Sequence, residues 1–208
     1  MSIIEKLAYS HNRRDEIPNQ DLAKELADKN DISSIKQLVE NLNNKNKNIQ
    51  SDCIKVLYEI ASLKPELISK YLMDFISLLD NKNNRLVWGA MIAIDHITLE
   101  DPKRVYKELS KIISAADTGS VISRDHCVMI LIKLSSLKQF EKNSFELLLE
   151  QLKNCPVNQL PMYAENAMPI INETRKMIFV KTLQERLKDV EKESQQKRIE
   201  KVIKKLSK

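Results

Sequence analysis

The chain has 208 residues, with two glycines, six prolines, 5% aromatic, 42% hydrophobic and 30% charged residues, and a net charge of +5. So few glycines exclude turn-rich sandwiches and barrels, and also the glycine-rich phosphate loop of nucleotide-binding folds. The length suffices for a real core, and the prevalence of Leu, Ile, Lys, Glu and Asn points to helical bundles or repeats.

The first ten residues, MSIIEKLAYS, lack a basic region followed by a long apolar stretch, so no signal peptide is expected. No window approaches the uninterrupted apolar length of a membrane helix. Cys53, Cys127 and Cys155 are well separated and show no C-x-x-C spacing. Free thiols in a reducing compartment, and hence a cytoplasmic protein, are the expectation. Residues 1–30 should form two less regular capping helices, near 2–9 and 20–28, split at Ile17-Pro18.

Beyond residue 30 the sequence repeats itself every 37 residues. Stepping by 37 from Cys53 gives Ala90, Cys127 and Ala164; from Val56, Ala93, Ile130 and Ala167; from Leu57, Ile94, Leu131 and Met168; from Ile60, Ile97, Leu134 and Ile171. These columns lie at i, i+3, i+4 and i+7, one face of a helix, here called the B helix. An A helix precedes each. Its columns are Ile35, Leu72 and Leu109, reaching Leu183 by a double step; Leu38, Phe75, Ile112 and Leu149; and Val39, Ile76 and Ile113, reaching Leu187. Pro65 and Pro102, also 37 apart, each open an A helix, where a missing N–H costs nothing. In the fourth repeat the A pattern fits better one residue early, as Phe145, Leu148, Leu149 and Leu152. Runs such as Asn44-Lys45-Asn46-Lys47-Asn48 and Asn81-Lys82-Asn83-Asn84-Arg85 are the A-to-B turns.

The repeats fall at about 31–63, 65–99, 102–137 and 139–172, followed by terminal helices near 174–190 and 196–206. A single helix pair cannot bury its apolar face, so neighbours must stack. The expected fold is all-α: a right-handed α-solenoid of about five antiparallel helix pairs with a period of about 37 residues. It forms one domain over 1–208, with a cap at 1–30, four repeats at 31–172 and a basic capping pair at 173–208.

Antiparallel A/B pairs, proline at the start of A helices and aliphatic B columns resemble HEAT or armadillo-type repeats over roughly residues 30–206. The period is short for HEAT repeats, whose recurrent B-helix Asp and Arg are absent, and the signature of tetratricopeptide repeats is missing too. The resemblance implies a scaffold or adaptor rather than an enzyme.

Nucleophile, metal and phosphate-loop motifs are absent from the sequence, and no cofactor or metal is expected. His126-Cys127 is a tempting pair, yet adjacent helix residues point about 100° apart, and Cys127 falls in a small-residue core column. If the B columns face the A helices, the opposite positions line the concave surface. Repeat one offers Ser51, Lys55, Tyr58 and Ser62 there, an ordinary solvated face. Repeat two offers Trp88, Ile92, Asp95 and Leu99; repeat three, Asp125, Met129, Ile132 and Ser136; repeat four begins with Met162 and Asn166. The single tryptophan thus lands on a face that should be wet, and such an apolar patch marks an interaction site or a stripe buried by curvature or by the terminal helices. The candidate partner-binding residues are Tyr58, Trp88, Ile92, Asp95, Met129 and Ile132, for a protein or peptide.

Residues 174–208 carry twelve basic and five acidic residues, a net of +7 against −2 for the remainder. The last helix reads as an amphipathic cap, with Ile199, Val202, Ile203 and Leu206 inward and Lys201, Lys204, Lys205 and Lys208 outward. Terminal repeats need a polar outer face, and Lys201, Lys204 and Lys205 are also candidates for contact with nucleic acid or an anionic membrane. The competing function is nucleic-acid binding, or alkylation repair resembling the HEAT-like glycosylases through Trp88 with Asp95 or Asp125. A duplex groove, however, needs more phosphate contacts than Lys55, His126 and Lys133 supply.

Overall fold

Helices and the turns between them make up the whole of the computed structural model, which describes residues 2–13 and 15–207; no strand occurs among them. In chain order the helices are α1 Ile17–Lys29, α2 Ile32–Glu40, α3 Lys47–Leu63, α4 Pro65–Ile68, α5 Leu72–Ser77, α6 Asn84–Ile97 and α7 Pro102–Lys107. They continue with α8 Leu109–Thr118, α9 Val121–Ser135, α10 Glu141–Asn154, α11 Leu160–Ala167, α12 Glu173–Leu187 and α13 Glu193–Leu206. Lys208, read above as part of the basic cap, lies outside the described residues.

The 37-residue period governs where the long helices start. Asn46 and Asn83 cap α3 and α6, accepting from the N–H groups of Asn48 and Arg85 at 2.9 and 3.1 Å. Ser120, in the same register, accepts from Ser123 N–H at 3.3 Å. Two residues before each asparagine cap, Asn44 and Asn81 accept from the backbone of Asn46 and Asn83. The Asn/Lys runs are therefore turns closed by side-chain oxygens and feeding N-caps.

Burial follows the same register. The B columns at 53, 56, 57 and 60 and their counterparts on α6 and α9 are fully buried, as are Ala164 and Ala167 on α11. The fourth B helix is shorter than the columns imply. It passes at Met168 into a 3-10 turn containing Pro169, which has no N–H to continue the ladder, and leaves Met168 and Ile171 only partly covered.

The A helices of repeats two and three are each broken in two. Tyr71 (φ −93°, ψ 14°) and Glu108 (φ −94°, ψ 5°) stand 37 residues apart with nearly the same bridge-region backbone, where a first short helix gives way to a second. Pro65 and Pro102 open the first pieces, and Asp101 accepts from Arg104 N–H at 3.2 Å. The N-terminal segment also departs from the expected helix near 2–9. Two 3-10 turns flank an extended Leu7, because the N–H groups of Ala8 and Tyr9 go to Asn19 Oδ1 and Asp52 Oδ2 instead of to helix carbonyls. The second capping helix starts earlier than expected, at Ile17, with Pro18 in its first turn.

Two compact units divide the chain, Met1–Cys127 and Val128–Lys208. The division falls inside α9, not in a linker. In the first unit, α3 packs against α1 on one side and α6 on the other. At Gly89, α6 lies tight against α3: a Cβ there would stand 2.6 Å from Ile54 Cγ1. Gly89→Ala gains about 1 kcal/mol of helix propensity but incurs an overpacking cost of about 1–3 kcal/mol against a buried branched side chain. The expected net is a loss of up to about 2 kcal/mol, checked by urea unfolding; a raised midpoint refutes it.

In the second unit, α12 packs on α10 and α13 on α11 and α12. Two arginines of α12 tie the unit together. Arg186 donates to the carbonyls of Leu152, Lys153 and Cys155, satisfying the C-terminal end of α10. Arg175 donates to Ile170 O at 2.8 Å, Ser135 O at 3.1 Å and Glu141 Oε2 at 3.2 Å, and lies over the Phe145 ring.

Candidate functional site

Trp88, Ile92 and Asp95 fall at i, i+4 and i+7 and so form one stripe along α6. Tyr58 on α3 meets this stripe because Gly89 lets the two helices approach. The Tyr58 and Trp88 ring centroids are 5.9 Å apart, with planes tilted by 52°. Trp88 and Ile92 are partly exposed, whereas Tyr58 (8%) and Asp95 (5%) are buried. The outer surface here is thus indole and aliphatic, with the tyrosine ring supporting the indole from below.

Repeat one is not the ordinary solvated face its sequence suggests. Lys55 is buried, with Nζ 4.8 Å from the centre of the Tyr58 ring and 2.7 Å from carboxylate oxygens of both Glu16 and Glu59. Burial opposes its charge, but the two carboxylates and the Tyr58 hydroxyl outweigh that and hold the ammonium protonated above its ordinary range. Burial also raises the Tyr58 hydroxyl, with Lys55 acting against it. This network fixes the underside of the aromatic pair.

Asp95 is turned onto His126 Nδ1, 2.7 Å from its Oδ2. Cys127 is fully buried in its column, and burial pushes its thiol up to about 12; Cys53 is likewise raised to about 12. Neither offers a thiolate at neutral pH. All three cysteines are buried. An aromatic disulfide reagent should leave them unmodified in the folded protein and react on denaturation. Fast modification of Cys127 at neutral pH is the opposing result.

Met129 and Ile132 stand in the second unit. Met129 is partly exposed and its sulfur is 3.4 Å from Asn166 Nδ2, one period further along; Ile132 is buried, at 7%. Lys201, Lys204 and Lys205 are exposed on α13, above the buried Ile199 and Val202. Arg198 makes two bonds to Glu165, at 2.9 and 2.6 Å, and holds that carboxyl below its ordinary range, helped by Lys201 and Lys205.

The network of Glu16, Lys55 and Glu59 and the Asp95–His126 pair were not legible in the sequence. Only Lys55 and Glu59, four residues apart on one helix, carried a local signal.

No protein-family model matches the sequence, and no curated protein matches it. The structure is similar to designed armadillo repeat proteins. YIII(Dq)4CqI matches at a TM-score of 0.66 and 15% identity, covering 98% of each chain. YIII(Dq.V1)4CPAF, solved in complex with the peptide (KR)4, matches at a TM-score of 0.68 and 16% identity, again over 98% of each chain. A further engineered protein matches at a TM-score of 0.65 and 19% identity, covering 99% of each chain. The chain therefore has an all-α, armadillo-type helical-repeat fold. Among the described residues, no helix is long and apolar enough to cross a membrane.

Proposed function

We propose that this protein is a non-enzymatic scaffold or adaptor that takes a protein or peptide on the face formed by α3 and α6. The observation that carries this reading is the partly exposed Trp88, seated on Tyr58 and continued by Ile92, at positions the repeat leaves free of core packing. Tryptophan anchors of this kind dominate binding energies where they enter a partner's pocket. The peptide complex of a designed relative in fold supports the use of such repeats for peptide recognition. A repair glycosylase would need a carboxylate free to face its substrate, and the burial of Asp95 against His126 favours the scaffold reading. Met129 in the second unit is a candidate for a separate contact, Ile132 a buried support for it, and Lys201, Lys204 and Lys205 candidates for contact with anions.

Affinity capture with the wild-type chain and with Trp88→Ala, both shown by circular dichroism to be folded, tests the reading. Loss of a hot-spot tryptophan should weaken the specific partner by about 2 kcal/mol or more, a fall of roughly thirtyfold in affinity. Partners retained equally by both proteins would move the site elsewhere.

A further inference from the structure

One helical turn towards the N-terminal ends of α3 and α6, the face changes chemistry. A polar cleft of about 590 Å³ opens there, lined by Tyr9, Arg13, Asn48, Ser51, Asp52 and Arg85 among others. Arg85 precedes Trp88 by three residues on α6, and Ser51 precedes Lys55 and Tyr58 by four and seven on α3. Cleft and aromatic pair are therefore successive rungs of one surface. At 1.5 Å rise per residue, Arg85 and Trp88 are offset by about 4.5 Å along the helix axis. An extended peptide covers that distance in one to two residues.

Among the described residues, the cleft presents one unpaired cation, Arg85. Asp52, its acidic lining residue, has both oxygens occupied, Oδ2 by Tyr9 N–H at 2.8 Å and Oδ1 by Asn19 Nδ2 at 2.9 Å. Arg13 places Nε and Nη2 on Asp15. Arg85 is exposed and forms no ion pair among the described residues. The turns leading into α3 and α6 add exposed Lys45, Lys47 and Lys82, and the N-terminal ends of two long helices direct their dipoles the same way.

We infer that the partner segment is an acidic–apolar peptide: an Asp or Glu side chain enters the cleft at Arg85, and a neighbouring bulky apolar side chain lies on Trp88 and Ile92. This rests on the binding face proposed above and adds the chemistry of its ligand. A nucleic-acid strand fits less well. Asp52 in the lining and Asp15 on Arg13 repel a chain of phosphates but leave Arg85 to take a single carboxylate. A peptide such as (KR)4 has the wrong sign for Arg85.

A phage-displayed random decapeptide library panned on the immobilised full chain tests the inference. Peptides selected by the wild type should be enriched in Asp or Glu beside a large apolar residue. Arg85→Glu should bind those peptides at least about tenfold more weakly, the size of one lost charge-assisted bond, and should select peptides without the acidic bias. Trp88→Ala should lose the apolar preference. Acidic enrichment that survives Arg85→Glu, enrichment in Lys or Arg, or the absence of any selected peptide overturns the inference. Displacement of the selected peptides by oligodeoxythymidylate with the same dependence on Arg85 overturns it in favour of a polyanion. Should apolar selection persist in Trp88→Ala while acidic selection vanishes in Arg85→Glu, the cleft stands and the aromatic face falls. The reverse pattern leaves the face and removes the cleft.

Discussion

Phe75→Ala is expected to lower the stability of the first unit by about 3–5 kcal/mol, the usual cost of deleting a large ring from a packed core. Phe75 is fully buried on α5, a helix of six residues. Six residues cannot sustain a helix on their own, since nucleation is unfavourable and only a few backbone bonds offset it. The ring, flanked by the buried Leu72 and Ile76, therefore holds both the core and the second half of a broken A helix. Trp88 is the only tryptophan in the chain and lies in the same unit. Urea unfolding followed by its fluorescence reads the unit directly. A midpoint close to that of the wild type would show that α5 is not anchored through this ring.

Arg175→Ala is expected to cost the second unit about 3 kcal/mol. Arg175 is 9% exposed, and its guanidinium satisfies two backbone carbonyls as well as Glu141. Truncation leaves the Ser135 and Ile170 carbonyls short of a donor and removes the cation from the Phe145 ring, so desolvation penalties add to the lost bonds. Arg175→Lys should recover only part of the loss, because a single ammonium cannot span the fork that reaches these three acceptors. Circular dichroism during urea unfolding provides the measurement. A lysine variant as stable as the wild type would reduce the role of Arg175 to that of a simple charge.

Both residues show how unevenly sequence and structure share the information. Phe75 belongs to a 37-residue column, and its burial is readable without coordinates because helical spacing and repetition are local properties. Arg175 lies outside the apolar columns, in the basic terminal segment. Its burial depends on the carbonyls that end α9 and the turn after α11, 40 and five residues away in the chain. The breaks at Tyr71 and Glu108 fall between these cases. They recur at the repeat period, but bridge-region backbone has no side-chain signature strong enough to announce itself.

What the sequence determined by itself is the all-α class, the 37-residue repeat, the core columns, the Asn/Lys-rich turns and the placing of the one tryptophan opposite the core columns. Each follows from spacing within a helix or from one period matched against the next. Tertiary structure decided the rest. Lys55 is buried because Glu16, 39 residues earlier, and Glu59 both reach its ammonium. Asp95 is removed from the surface by a histidine 31 residues later. Arg13 and Arg85 line one cleft although 72 residues separate them. Charges and polar groups act through whichever partner folding brings within about 3 Å, and no periodicity in the chain encodes that choice. The two glycines carry the same lesson: their scarcity declared a helical protein, but only the packing of α3 on α6 showed why one of them is Gly89.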